Sequence, residues 1–284
     1  MKHQHALLLG CALAWTSAGA FSPVVHPRAT SSSLRMAKEE KDEGDFIERV
    51  WTSLFGPKEE SPFGMSRMTI DQYPDQFPAE YTRRAAPVST DRGDAALVRP
   101  LLAQTELEMR SLKVAYDAAV DGWTSDAFHR GVDKLGPGVV LCRSELGAVF
   151  GGYNPKGWVG YGEYRPGLSA FLFSWPDGDA AASADAPMVK LRKVGGAGMA
   201  QIDNPEDGPR FGPDGFTVPL SPLAPRAARS KLGAYYERMP NGVRTIFAPE
   251  EGGETTLTDF KVFVGVYAEG ETIPFDDAMP LSLT

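Results

Sequence analysis

The sequence predicts an α+β fold in which two antiparallel β-sheets stack and helices lie on their flanks, a sandwich around one core. Three observations predict it. Helical periodicity comes first and strand periodicity second, with the change at Gly136-Pro137. Turn signals then separate the strands, among them Ser144-Glu145-Leu146-Gly147 and Pro176-Asp177-Gly178-Asp179. In the last strand, Phe260, Val262, Val264 and Val266 point one way and Lys261, Phe263, Gly265 and Tyr267 the other, so both faces are apolar enough to be covered. Residues 101–268, about 170 in all, can bury a substantial core as one unit, with no internal repeat or second domain in view.

Taken in order, residues 1–20 read as a signal peptide: basic Lys2, an apolar run from Ala6 to Trp15 too short to span a bilayer, and a small-residue site at Ser17-Ala18-Gly19-Ala20. Residues 21–36 hold Arg28, Arg35 and Thr30-Ser31-Ser32-Ser33 without an acidic residue, the composition of a transit peptide. The junction Ala20-Phe21-Ser22-Pro23 resembles the bipartite presequence of algae with secondary plastids, in which Phe21 opens the transit signal. Residues 37–100 form a partly ordered arm. It opens with a Lys/Glu/Asp-rich stretch and continues into a short amphipathic helix, Asp45 to Phe55, whose Phe46, Ile47, Val50, Trp51, Leu54 and Phe55 share a face. Five prolines and Phe63, Tyr73, Phe77 and Tyr81 then suggest an extended segment wrapping the domain.

The domain proper, 101–268, is expected to open with a helix around Leu107 to Val120, with Met109, Leu112, Tyr116 and Ala119 on one face. A second helix follows, capped by Thr124 and carrying Phe128, Val132 and Leu135. Strands follow at Gly138 to Arg143, Ala148 to Tyr153, Leu168 to Trp175, Val189 to Val194, Phe216 to Leu220, Leu232 to Glu237 and Phe260 to Tyr267. Residues 269–284 are a tail.

Composition narrows the function. Removing residues 1–36 takes away three bases, Lys2, Arg28 and Arg35, and no acid, so the net charge of −8 becomes −11. So acidic a chain is a poor partner for nucleic acid or anionic lipid. It also leaves a single cysteine, Cys142, and a single histidine, His129. Intramolecular disulfides, multi-thiol or multi-imidazole zinc sites, Cys-x-x-Cys redox pairs and bis-histidine haem are thereby excluded within one protomer. The lone cysteine and the absence of any Asn-x-Ser/Thr site favour a plastid, stroma-facing location over the alternative of secretion.

His129, on the second helix, reads as a surface or second-layer residue, with a general-base role as the competing view. Cys142, between Leu141 and Arg143, reads as an inert small hydrophobe. The glycines at 151–152, 160, 162, 195–196 and 198 fit tight turns and bulges, since neither a Gly-x-Gly-x-x-Gly nor a Walker pattern opens a helix. Glu163, Asp177, Asp179, Glu206 and Asp207 sit in turn contexts, and the loop from Asp207 to Gly215 lacks calcium-ligand spacing. No catalytic, metal-binding or cofactor-binding residue is therefore assigned. Trp51, Trp158 and Tyr161 are the candidate partner anchors, with core packing as the competing account.

The stretch from Asp121 to Trp175, with Asp121-Gly122-Trp123-Thr124, Phe128-His129-Arg130, Gly138-Val139-Val140-Leu141-Cys142-Arg143 and Ala170-Phe171-Leu172-Phe173-Ser174-Trp175, resembles the core of a TLDc domain. The match continues through Val194 to Gly198, Asn204 to Gly212, Ser230 to Tyr236 and Phe260 to Tyr267, and Gly151 to Trp158 looks most like the plant and algal branch. The resemblance implies the stacked-sheet fold, no established catalytic residue set, and a link to protection against oxidative stress. The expectation is a non-enzymatic module that binds a protein partner in the plastid. The alternatives are a carboxylate-based enzyme of unknown substrate, or an accessory factor docked peripherally at the photosynthetic membrane through the helix near Trp51.

Overall fold

The computed structural model describes residues 69–70, 74–175 and 188–274. The presequence with Phe21, the helix carrying Trp51, the turn at Pro176-Asp177 and the end of the tail lie outside the described residues. No helix among the described residues is long and apolar enough to cross a membrane.

The elements are α1 (Asp94–Val98), β1 (Leu112–Asp117), α2 (Ala118–Asp121), α3 (Ser125–Val132), β2 (Gly138–Ser144), β3 (Val149–Asn154), β4 (Glu163–Arg165), β5 (Phe171–Trp175), β6 (Val189–Arg192), β7 (Gln201–Asp203), β8 (Arg210–Phe211), β9 (Phe216–Thr217), β10 (Ala227–Ser230) and β11 (Glu254–Gly265). All strand pairs are antiparallel, in one hydrogen-bonded path β4-β7-β8-β9-β10-β11-β2-β3-β5-β6, with β1 also on β11. The fold is thus mostly antiparallel sheet with few, short helices. β11 is its centre: Glu254 to Thr256 pair with β10, Leu257 to Val264 with β2, and Lys261 to Gly265 with β1.

Both faces of β11 are covered, as its alternation predicts. Phe260, Val262 and Val264 enter one core with Phe150, Phe211, Phe216 and Tyr236, while Phe263 enters a second with Tyr153, Phe171 and Phe173. Val266 departs from the pattern, lying past the strand end and partly exposed. Two glycines let the sheet accept its cover. A Cβ on Gly151 would stand 1.9 Å from the Val140 carbonyl oxygen, and one on Gly152 would stand 2.7 Å from the Phe211 ring. Close approach of neighbours, and not a turn or a bulge, explains this pair.

The expected helix from Leu107 to Val120 is a strand followed by a single helical turn. β1 pairs with β11 from Leu112↔Gly265 to Asp117↔Lys261, with the register slipping between Val114 and Tyr116. A bulge there breaks the two-residue alternation, and what remains mimics helical spacing. Met109 and Val120, expected on or beside a buried helical face, are 73% and 81% exposed. Asp117 ends the strand and caps α2, its carboxylate accepting from Ala119 N at 2.9 Å. The strand expected at Leu232 to Glu237 is instead a turn closed by Gly233 N donating to Tyr236 O at 2.8 Å, with one isolated bridge from Tyr236 to Lys193.

Residues 74–102 form part of the folded body. Val98, Leu101 and Leu102 are buried in the second core. Arg99 is buried too, and its guanidinium donates to both Asp91 oxygens at 2.5 and 2.9 Å and to the carbonyls of Leu107, Glu108 and Arg110. A buried guanidinium is tolerated only when its donors are met in this way.

Candidate functional site

The sequence between Thr124 and Asp133 builds a polar site beneath the loop that follows Trp158. Thr124 caps α3 through Ala127 N at 3.2 Å, and Ala127, Phe128 and Val132 turn inward. Phe128 meets Tyr116 and Trp158 edge-on at 5.5 Å and stacks on Phe260 at 5.9 Å. That anchor fixes the rotation of the helix and carries the next residue, His129, beneath the loop that follows Trp158.

His129 is buried, and both of its ring nitrogens are engaged. Nε2 lies 3.0 Å from the carbonyl oxygens of Asn204 and Asp207, so it donates and bears a hydrogen. Nδ1 lies 2.8 Å from Asp133 Oδ1, one helical turn on. Burial by itself would lower the affinity of the ring for a proton. The hydrogen bond to Asp133, that carboxylate's charge, the Asn204 carbonyl and the charge of Asp203 outweigh it and raise the pKa above the usual histidine value. The expected surface or second-layer position is corrected: the ring sits in an acceptor-rich pocket that favours a cation. With both nitrogens occupied, it is also poorly placed to be the general base of the competing view.

Asp203, at the end of β7, completes the group. Its Oδ2 accepts from Val159 N at 3.1 Å, Gly160 N at 2.8 Å and Tyr161 N at 3.4 Å, with Arg165 Nη1 4.0 Å away. Three successive amides on one carboxylate oxygen set the course of the loop. Gly160 takes a positive φ of 73°, and a Cβ there would come 2.8 Å from Asp133. His129, Asp133 and Asp203 offer ligand atoms that all lie within 4.8 Å of one another.

The loop places the two domain-borne anchor candidates oppositely. Trp158 is 2% exposed and packed on Phe128, so it is a core residue, corrected from partner anchor because burying its indole is what closes the loop over α3. Tyr161, three residues on, is 59% exposed, and Tyr164 on β4 is 56% exposed. The Lys134 ammonium lies 5.9 Å from the Tyr161 ring centre. β4 pairs only with β7 among the described strands, so it presents an edge beside both tyrosines.

Cys142 lies fully buried on β2, where burial pushes its thiol well above the normal range, in keeping with an inert hydrophobe. In the loop after Asn204, Asp207 is tied to Arg210 at 3.2 Å and to Asn204 Nδ2 at 2.9 Å, so the loop closes on itself.

Two half-buried ionisable groups escaped the sequence. Burial, with Glu106 nearby, pushes Asp75 up to about 7 against the opposing effects of Ser169, Lys156 and Tyr153, although its Oδ1 accepts from Ser169 Oγ at 3.1 Å and Tyr153 OH at 3.3 Å. Beside it opens a cavity of about 750 Å³ lined by Pro74, Thr105, Glu106 and Arg110. Burial pushes Lys190 down to about 7, yet its Nζ donates to Glu80 O at 2.6 Å and Leu101 O at 2.7 Å and faces the Phe171 ring at 3.9 Å. These contacts all stabilise an ammonium, which pins the arm to β6. No sequence signal marks either residue, since each is a lone charge without a periodic or motif context.

Fold and site together describe an antiparallel β-sheet domain whose polar centre is built to hold a loop in place. Residues 94–212 match the model of the TLDc domain. No curated protein matches the chain. The match begins at α1, seven residues before the boundary expected at 101, and stops at Gly212. The folded body continues to β11.

Proposed function

We propose that this protein acts by binding a protein partner, without catalysing a reaction, and so contributes to oxidative-stress tolerance in the plastid. The observation that carries the binding role is the pair Tyr161 and Tyr164. Both rings are exposed on a loop and an edge strand that Asp203, His129 and Trp158 hold rigidly from below. Rigid exposed aromatics cost little conformational entropy on binding and are favoured as interface anchors. The inward commitment of His129 and Cys142 supports a non-catalytic role, because each is occupied by or sealed within the fold.

The same proposal takes the architecture as two stacked antiparallel layers, as in other TLDc domains. Packing of Phe150 on β3 against Phe216 on β9, with ring centres 5.7 Å apart, supports it. Edge strand β4 and its tyrosines then lie at the rim of one layer.

The test is protection of cells whose own copy is deleted, challenged with peroxide and supplied with the full-length chain. Tyr161→Ala combined with Tyr164→Ala is expected to abolish protection while leaving the melting temperature unchanged, and Cys142→Ala is expected to keep it. Full protection by the tyrosine double variant would refute the binding surface, and loss in folded Cys142→Ala would refute the non-catalytic, non-redox role.

A further inference from the structure

The group formed by His129, Asp133 and Asp203 leaves one buried carboxylate oxygen, Asp203 Oδ1, without a hydrogen-bond partner among the described residues. Two carbonyl oxygens at 3.0 Å require His129 Nε2 to carry a hydrogen. In the neutral ring this leaves a lone pair on Nδ1, facing a carboxylate oxygen of Asp133 at 2.8 Å. Two lone pairs at that distance repel, so the contact at 2.8 Å needs a proton between them, and a metal ion takes the proton's place only if the two atoms open apart. Asp203 adds a second observation. The residue is 1% exposed, its Oδ2 is saturated by three amides, and its Oδ1 is buried without a hydrogen-bond partner. A proton on His129 satisfies Asp133 and leaves Asp203 Oδ1 as it is. A metal ion shared by the three residues, bound through Asp203 Oδ1, would satisfy both.

We propose that His129 Nδ1, Asp133 and Asp203 bind one divalent transition ion of the zinc class. One imidazole and two carboxylates suit such an ion better than calcium, which takes six to eight oxygens. The supporting shell is of the kind metal-bound histidines use: the other ring nitrogen donates to backbone carbonyls, which fixes the tautomer, and backbone amides hold a ligating carboxylate. Zinc bonded to nitrogen and oxygen at ordinary lengths sets neighbouring ligand atoms about 3.4 Å apart in a tetrahedron. Asp133, at the end of α3 with its side chain 25% exposed, has the freedom to open to that spacing and gives the ion a route in. Arg165, 4.0 Å from Asp203 Oδ2, offsets part of the negative charge, so the site selects for ligand chemistry more than for charge alone. The ion would join α3, β7 and, through the Asp203 amides, the loop bearing Tyr161. The site stands independently of whether Tyr161 meets a partner.

The test uses full-length protein stripped with chelator and titrated with Co²⁺, then Zn²⁺. One Co²⁺ per chain with the visible absorption of a low-coordinate ion is expected, displaced by Zn²⁺. Asp133→Asn and Asp203→Asn are each expected to weaken binding by about tenfold or more. Should Asp203→Asn fail to fold, the partly exposed Asp133→Asn still decides. On the wild type, ¹⁵N spectra of the imidazole at saturating Zn²⁺ should show a neutral ring with Nδ1 metallated and Nε2 protonated. An imidazolium that persists in excess Zn²⁺, the absence of stoichiometric Co²⁺ binding, or binding indifferent to Asp133→Asn would each overturn the proposal.

Discussion

Asp75→Asn gives the sharpest test of the energetics. The native carboxyl titrates at about 7 and the unfolded one near its ordinary value of 3.8. Below 3.8 both states are protonated and the side chain contributes its full stability. As pH rises towards 7 the unfolded chain ionises while the native one stays neutral, so stability falls by about 1.4 kcal/mol per pH unit. Above 7 the loss levels off at on the order of 4 kcal/mol, an upper figure because water reaches part of the side chain. The groups facing Asp75 are Ser169 and Tyr153 as donors, Glu106 as a like charge and Lys156 as an opposite one. Asparagine keeps the shape and the acceptor oxygen for Ser169 and Tyr153 but cannot ionise. Urea denaturation at pH 5 and pH 8 should therefore show the variant gaining on the wild type by about 2 kcal/mol between the two. Glu106, itself raised by burial, remains in both proteins and cancels to first order. Parallel pH profiles for the two proteins would refute a half-buried, neutral Asp75.

Two further outcomes are expected. Gly151→Ala places a methyl group against the Val140 carbonyl, where rigid backbone cannot yield, and should cost about 1–3 kcal/mol or prevent folding, read by thermal denaturation; an unchanged melting temperature would contradict the packing of β3 on β2. Residues 1–36 fused to a fluorescent protein should reach the plastid, and Phe21→Ala should divert the fusion; unchanged delivery by Phe21→Ala would remove the aromatic residue from the address.

Local chemistry was the legible part of the sequence. Thr124 announced α3, the turn at Ser144 to Gly147 announced the β2–β3 hairpin, and the double alternation of Phe260 to Val264 announced a strand covered on both faces. β1 was misread because its bulge removed the period that identifies a strand, and the hydrogen bonds of β11, supplied from far along the chain, decided the matter. The candidate site was half legible. His129 and Asp133 are spaced to meet on one helix, but the Asn204 and Asp207 carbonyls and the Asp203 carboxylate arrive from another part of the chain, and backbone carbonyls leave no mark in a sequence. Trp158 showed its size and not its direction, which Phe128 settles.

The position of β11 has a consequence for how the molecule comes into being. Leu112 finds its partner at Gly265 and Cys142 at Phe260, so the first strands made must wait for the last. A nascent chain released at Gly212, where the family match stops, would hold β1 and β2 with their ladder groups bare and Phe260, Val262 and Phe263 missing from both cores. Such edges invite association with other chains, and such long closures are slow. A fragment cut to the matched residues would be a poor reagent, and a premature stop anywhere before Gly265 should cost the cell the whole domain and not merely its end.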